Sequence, residues 1–96
     1  MYATIRRYEG VDGTGEEFVT VLRKIAYGLS GVPGFVSFVV IESRPNDIVT
    51  VSIFDDQVGL NEADRRVEAS LADHWATLPV QNPKAVTGEI MFQRGL

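Results

Sequence analysis

Ninety-six residues with 45% apolar composition suffice for one domain with one core, but a chain this short buries only about 60–65% of its unfolded surface and gains from a partner. Thirteen acids outnumber nine scattered basic residues, for a formal charge of −4, so there is no basic stripe for nucleic acid. The absence of cysteine and the single histidine argue against disulfides, a thiolate nucleophile and a metal site.

Tyr2 to Glu9 alternates like a strand, with Ala3 and Ile5 on one side and Tyr2, Thr4, Arg6 and Tyr8 on the other. It lacks the unbroken apolar core of a signal peptide, and no later run approaches the roughly 18–20 apolar residues of a membrane span. The expectation is a soluble cytoplasmic protein without membrane association. Gly10 to Gly15 reads as a plain turn rather than a phosphate cradle, because Asp12, Glu16 and Glu17 would repel an anion there and no lysine follows. Thr14 and Glu17 have capping-box spacing and predict a helix start. Phe18, Val21, Leu22, Ile25 and Leu29 form its apolar stripe, and Gly31 and Pro33 stop it.

Gly34 to Asp55 is two runs of Val, Ile and Phe around Glu-Ser-Arg-Pro-Asn-Asp, a predicted β-hairpin. Setting Glu42 opposite Asp47 pairs Val40 with Val49, Phe38 with Val51 and Val36 with Ile53 on a wholly apolar face. The opposite face then carries Ile41 with Ile48, Val39 with Thr50, Ser37 with Ser52 and Phe35 with Phe54. Asp55 and Asp56 can cap a second helix of about twenty residues, whose stripe runs through Leu60, Ala63, Val67, Leu71 and Leu78 at about 100° per residue. Pro79 ends it, and Ala85 to Gln93 reads as a last strand.

The order βαββαβ in a single unit, residues 1 to 96, predicts an α+β, ferredoxin-like fold: a four-stranded antiparallel sheet with both helices on one face. The face of Val36, Phe38, Val40, Val49, Val51 and Ile53 is expected to take the helices. The other would collect Thr4, Arg6, Tyr8, Ser37, Val39, Thr50, Ser52, Phe54, Thr87, Glu89 and Met91, half apolar, and is expected to make a homodimer, sheet against sheet.

Val32-Pro33-Gly34-Phe35, the run Val51 to Asp56 entering the second helix, and Gly88-Glu89-Ile90 together resemble the antibiotic biosynthesis monooxygenase-like proteins of the dimeric α/β-barrel group, over nearly the whole chain. The resemblance implies a dimeric barrel that oxidises or binds a small, electron-rich aromatic compound of phenol or quinol type, using molecular oxygen with no cofactor. Related proteins often carry a histidine early in the second helix, where this chain reads Asn61-Glu62-Ala63-Asp64-Arg65. Haem-degrading relatives combine a first-strand asparagine with a tryptophan and a histidine ligand, whereas the first strand here offers Arg6, Arg7 and Tyr8.

Six residues are candidates for chemistry. His74 borders the second helix's stripe and, with an ordinary pKa of about 6.5, could take a proton from a phenol; the plainer reading is a helix-end histidine bonded to the last carbonyls. Trp75 beside it lines a pocket or fills the core edge. Asp64 lies inside the stripe, where a carboxylate is costly unless paired: it faces a polar cavity as a second candidate base, or bonds an arginine. Arg6 and Tyr8 suit an acidic or phenolic ligand, or belong to the subunit interface with Arg6 paired to Glu89. Phe38, with Trp75, would shield the site from water. A non-enzymatic ligand-binding or accessory dimer with a filled core accounts for the same residues structurally.

Overall fold

The computed structural model describes residues 1–9, 15–44, 47–74 and 84–96, with His74 described by its backbone only. Strand β1 (Tyr2–Glu9) leads to helix α1 (Gly15–Leu29), strands β2 (Phe35–Arg44) and β3 (Asp47–Phe54), helix α2 (Gln57–His74) and strand β4 (Lys84–Glu89). The sheet order is β2-β3-β1-β4, every neighbouring pair antiparallel. This is the ferredoxin-like βαββαβ arrangement.

Both helices form where periodicity places them. Phe18, Leu22, Ile25 and Leu29 of α1 and Leu60, Ala63, Val67 and Leu71 of α2 are buried in one cluster with Tyr8, Ile48 and Phe54 of the sheet. Each large side chain so buried contributes roughly 1.5–3 kcal/mol. The chain leaves α1 through a type II turn: Pro33 presets the first central residue, Gly34 takes φ 87°, and the Phe35 N–H donates to the Val32 carbonyl at 3.2 Å. Only glycine adopts that φ without strain. At the start of α2, Asp56 Oδ1 accepts the Gly59 N–H at 2.8 Å, the cap expected from the sequence. Thr14 of the predicted capping box, the hairpin residues Pro45 and Asn46, and Leu78 and Pro79 lie outside the described residues. The last strand is shorter than expected, ending at Glu89 instead of Gln93, after which the Ile90 N–H donates to the Met1 carbonyl at 2.8 Å.

The hairpin register differs from the expected one by one residue. Val40 lies opposite Thr50, Phe38 opposite Ser52 and Ile41 opposite Val49, with irregularities between Phe35 and Ser37 and between Glu42 and Arg44. The second is the physical reason. Arg44, not Glu42, pairs with Asp47, a change of two residues, and Glu42 then pairs with Ile48, so one residue of β2 is taken up in a bulge and the pairs from Glu42 to Ser37 end one residue from the expected register. The irregularity between Phe35 and Ser37 brings Phe35 back opposite Phe54, as expected. The helices therefore lie on the face of Tyr8, Ile48, Thr50, Ser52 and Phe54, joined by Phe38 and Val40. Val49, Val51 and Ile53 belong to the opposite face, and Ile53, although buried, is not part of the helix–sheet cluster. The outer face is the aliphatic one, carrying Ile5, Val39, Ile41 and Val86 at 43–70% exposure. Thr4, Arg6, Tyr8, Thr50, Ser52 and Phe54, expected on the dimer face, are inside.

Candidate functional site

Alternation along β1 sends Thr4, Arg6 and Tyr8 beneath α2, and all three are buried. From α2, Asp64 and Glu68, one helical turn apart, reach down to meet them. The Thr4 hydroxyl donates to Asp64 Oδ2 at 2.9 Å, which leaves the Thr87 hydroxyl of β4, 3.0 Å away, to donate to Thr4. Arg6 Nη2 lies 3.3 Å from Asp64 Oδ1 and 3.4 Å from Glu68 Oε1. Side-chain exposures of 5% for Arg6, 18% for Asp64 and 69% for Glu68 show a charge carried inward, with one carboxylate at the wall and one at the rim.

The expected pairing of Arg6 with Glu89 is overturned. Arg6 is on the helix side, and the two carboxylates of α2 are its ion-pair partners. Thr4 and Thr87 were not singled out in the sequence, since threonine reads as an ordinary strand former; only the register that pairs them reveals a hydroxyl chain to Asp64. Phe38 is half-buried on the same sheet face, packed against the core. His74 is the last residue of α2, and Trp75 lies outside the described residues.

Three polar atoms in this cluster are buried without a hydrogen bond among the described residues: Arg6 Nε, Tyr8 Oη and Asp64 Oδ1, the last touching Arg6 but poorly directed. An orphaned buried polar group costs about 1–3 kcal/mol. The Tyr8 ring is fixed edge-on to Phe18, centroids 4.9 Å apart. Burial pushes its hydroxyl pKa above the usual 10.0, only partly offset by the Arg6 charge and the nearby Thr50 hydroxyl. Tyr8 is thus a protonated donor at neutral pH. One guanidinium flanked by two carboxylates does not attract an anion, but it can receive a neutral phenol, take its proton on a carboxylate and face the new oxyanion with Arg6. Among the described residues no three His, Cys, Asp or Glu side chains are grouped to hold a metal, and no helix is long and apolar enough to cross a membrane.

No family model matches the chain, and no curated protein matches it. Solved structures do. SnoaB, a cofactor-independent oxygenase from Streptomyces nogalater, superposes in a variant form with a TM-score of 0.76 over 96% of this chain and 94% of its own, at 19% identity. A candidate antibiotic biosynthesis monooxygenase from Nitrosomonas europaea gives 0.80 over 96% and 100%, at 16% identity. The chain has the antibiotic biosynthesis monooxygenase fold. A variant of MhuD, with two manganese protoporphyrin IX molecules bound per active site, gives 0.75 over 99% of each chain at 17% identity. Fold is what these monooxygenase-fold neighbours share with the chain.

Proposed function

We propose that the protein is a monooxygenase-like homodimer that binds a small, electron-rich aromatic compound of phenol or quinol type between β1 and α2 and oxidises it with molecular oxygen. The observation that carries this reading is that Arg6 Nε, Tyr8 Oη and Asp64 Oδ1 are all buried without a hydrogen bond among the described residues, with the charges of Arg6 and Asp64 acting on the Tyr8 hydroxyl. The shared fold with a cofactor-independent oxygenase supports it as an analogy.

Tyr8 donates to the ligand oxygen and Arg6 faces the charge that develops on it. Asp64 is the base, held by Thr4; His74, at the end of α2, is the other candidate. Phe38, with Trp75, keeps water from the anion. In an anthrone-type substrate, proton removal leaves a carbanion that gives one electron to oxygen. Recombination forms a carbon peroxide, and loss of water converts the ring CH2 to C=O, so one O2 is consumed and one H2O released. The substrate supplies all the electrons, and no cofactor is required.

A thermal-shift panel of phenols, quinols and anthrones tests the binding step. A ligand at one hundred times its Kd should add about 2.7 kcal/mol, and the gain should shrink in Tyr8→Phe. The second reading, a non-enzymatic module, is favoured by the mutual neutralisation of Arg6 and Asp64, which ties β1 to α2 whether or not anything binds. It predicts no stabilisation by any of these compounds.

A further inference from the structure

On the opposite side of α2 from the β1 cluster, α1 and α2 diverge to leave a groove of about 330 Å3 that opens to solvent, near the lower end of the roughly 300–1,000 Å3 typical of ligand pockets. Its floor is aliphatic, built from Val21, Ile25 and Leu29 of α1 with Ala69 of α2. Ile25 and Leu29 are buried members of the core, so the groove reaches down to the hydrophobic layer. Gly28 lines the groove, and a Cβ built there would meet nothing within 4 Å.

Its rim is cationic. Lys24, Arg65 and Arg66 line it, three of the nine basic residues of a chain whose net charge is −4, and among the described residues no acid lines it. Glu62, on the same helix, commits Arg65 through two bonds, to Nε at 3.0 Å and Nη2 at 2.7 Å, but takes only Nε of Arg66, at 2.9 Å. The terminal nitrogens of Arg66 and the ammonium of Lys24 remain unpaired among the described residues.

We propose that the groove binds a carboxylate-bearing amphiphile, its apolar body along Ile25, Leu29 and Ala69 and its carboxylate between Lys24 and Arg66. An apolar floor beneath the Lys24 ammonium and the open end of the Arg66 guanidinium, which Glu62 holds only through Nε, matches that chemistry, and a planar carboxylate fits the guanidinium's terminal nitrogens. The site is separate from the β1–α2 cluster and independent of any oxygenase activity.

Octanoate titrated into the 15N-labelled protein, with 1-octanol as the uncharged control, tests this by amide shift perturbation. Saturable shifts are expected at Lys24, Gly28 and Ala69, with octanol at least about fivefold weaker. Gly28→Phe, which directs a ring from the groove wall where a Cβ meets open space, and Lys24→Glu should each weaken octanoate by about tenfold while circular dichroism stays unchanged. Equal affinity for octanol, shifts centred on Thr4, Tyr8 and Asp64 instead, unchanged affinity in Gly28→Phe, or no saturable binding would overturn the assignment.

Discussion

Asp64 carries two burdens, as partner of a buried guanidinium and as acceptor for Thr4. Removing it in Asp64→Ala strands Arg6 in the interior and should cost about 2–4 kcal/mol. Glu68→Ala removes only a rim contact and should cost less than about 1 kcal/mol by urea denaturation. Tyr8→Phe should go the other way: deleting a hydroxyl buried without a hydrogen bond among the described residues should leave the melting temperature unchanged or raised, while weakening any phenolic ligand. The same substitution has a pH signature. Because the folded-state pKa of Tyr8 is raised above 10.0, its contribution is complete below pH 10 and lost as pH climbs through the folded value, so Tyr8→Phe should flatten the alkaline limb of the stability curve. At acid pH the relevant group is Glu62, which Arg65 and Arg66 hold at about 2, down from 4.5. Its contribution is complete above pH 4.5 and disappears toward 2, and Glu62→Gln should remove that part of the acid slope.

At the level of elements, two helical glycines make opposite predictions. A Cβ on Gly59 would come within 2.6 Å of the Pro33 carbonyl oxygen and 3.0 Å of the Phe54 ring, so Gly59→Ala should lower the melting temperature despite alanine's higher helix propensity. Gly28→Ala, with open space around it, should stabilise α1 by about 0.5–1 kcal/mol. Both helices were legible in the sequence because a 3.6-residue stripe survives whatever it packs against, and Asp56 announced its cap. The sidedness of the sheet was not. Alternation fixes which residues share a face, and it grouped Thr4, Arg6 and Tyr8 correctly, but it does not say which face is inside. The hairpin was apolar on one side and half apolar on the other, so the count from the turn had to decide. Arg44 in place of Glu42 opposite Asp47 moves that count by two, which keeps the faces, and the bulge between Glu42 and Arg44 takes one back, which exchanges them. Asp64 was legible as a carboxylate in an apolar stripe; Thr4, Thr87 and the Arg6 pairing required the register.

For the whole molecule, the register change exchanges what the two faces do. The polar set serves the interior beneath α2, and the aliphatic outer face of Ile5, Val39, Ile41 and Val86 is the surface we assign to self-association. Sedimentation at micromolar concentration should return twice the chain mass, and Ile5→Glu with Val39→Lys should return a monomer that still folds. Association and chemistry are then separable, because the outer face contributes nothing to the Tyr8, Arg6 and Asp64 cluster on the other side of the sheet. Oxygen uptake in the presence of an anthrone or quinol, with chelator and no added flavin, bears most directly on the central claim. We predict consumption of one O2 per substrate above the uncatalysed rate, reduced by at least about a hundredfold in Asp64→Asn. Uptake that Asp64→Asn leaves at the wild-type rate, or a ligand that binds tightly at Tyr8 without consuming any oxygen, would contradict it.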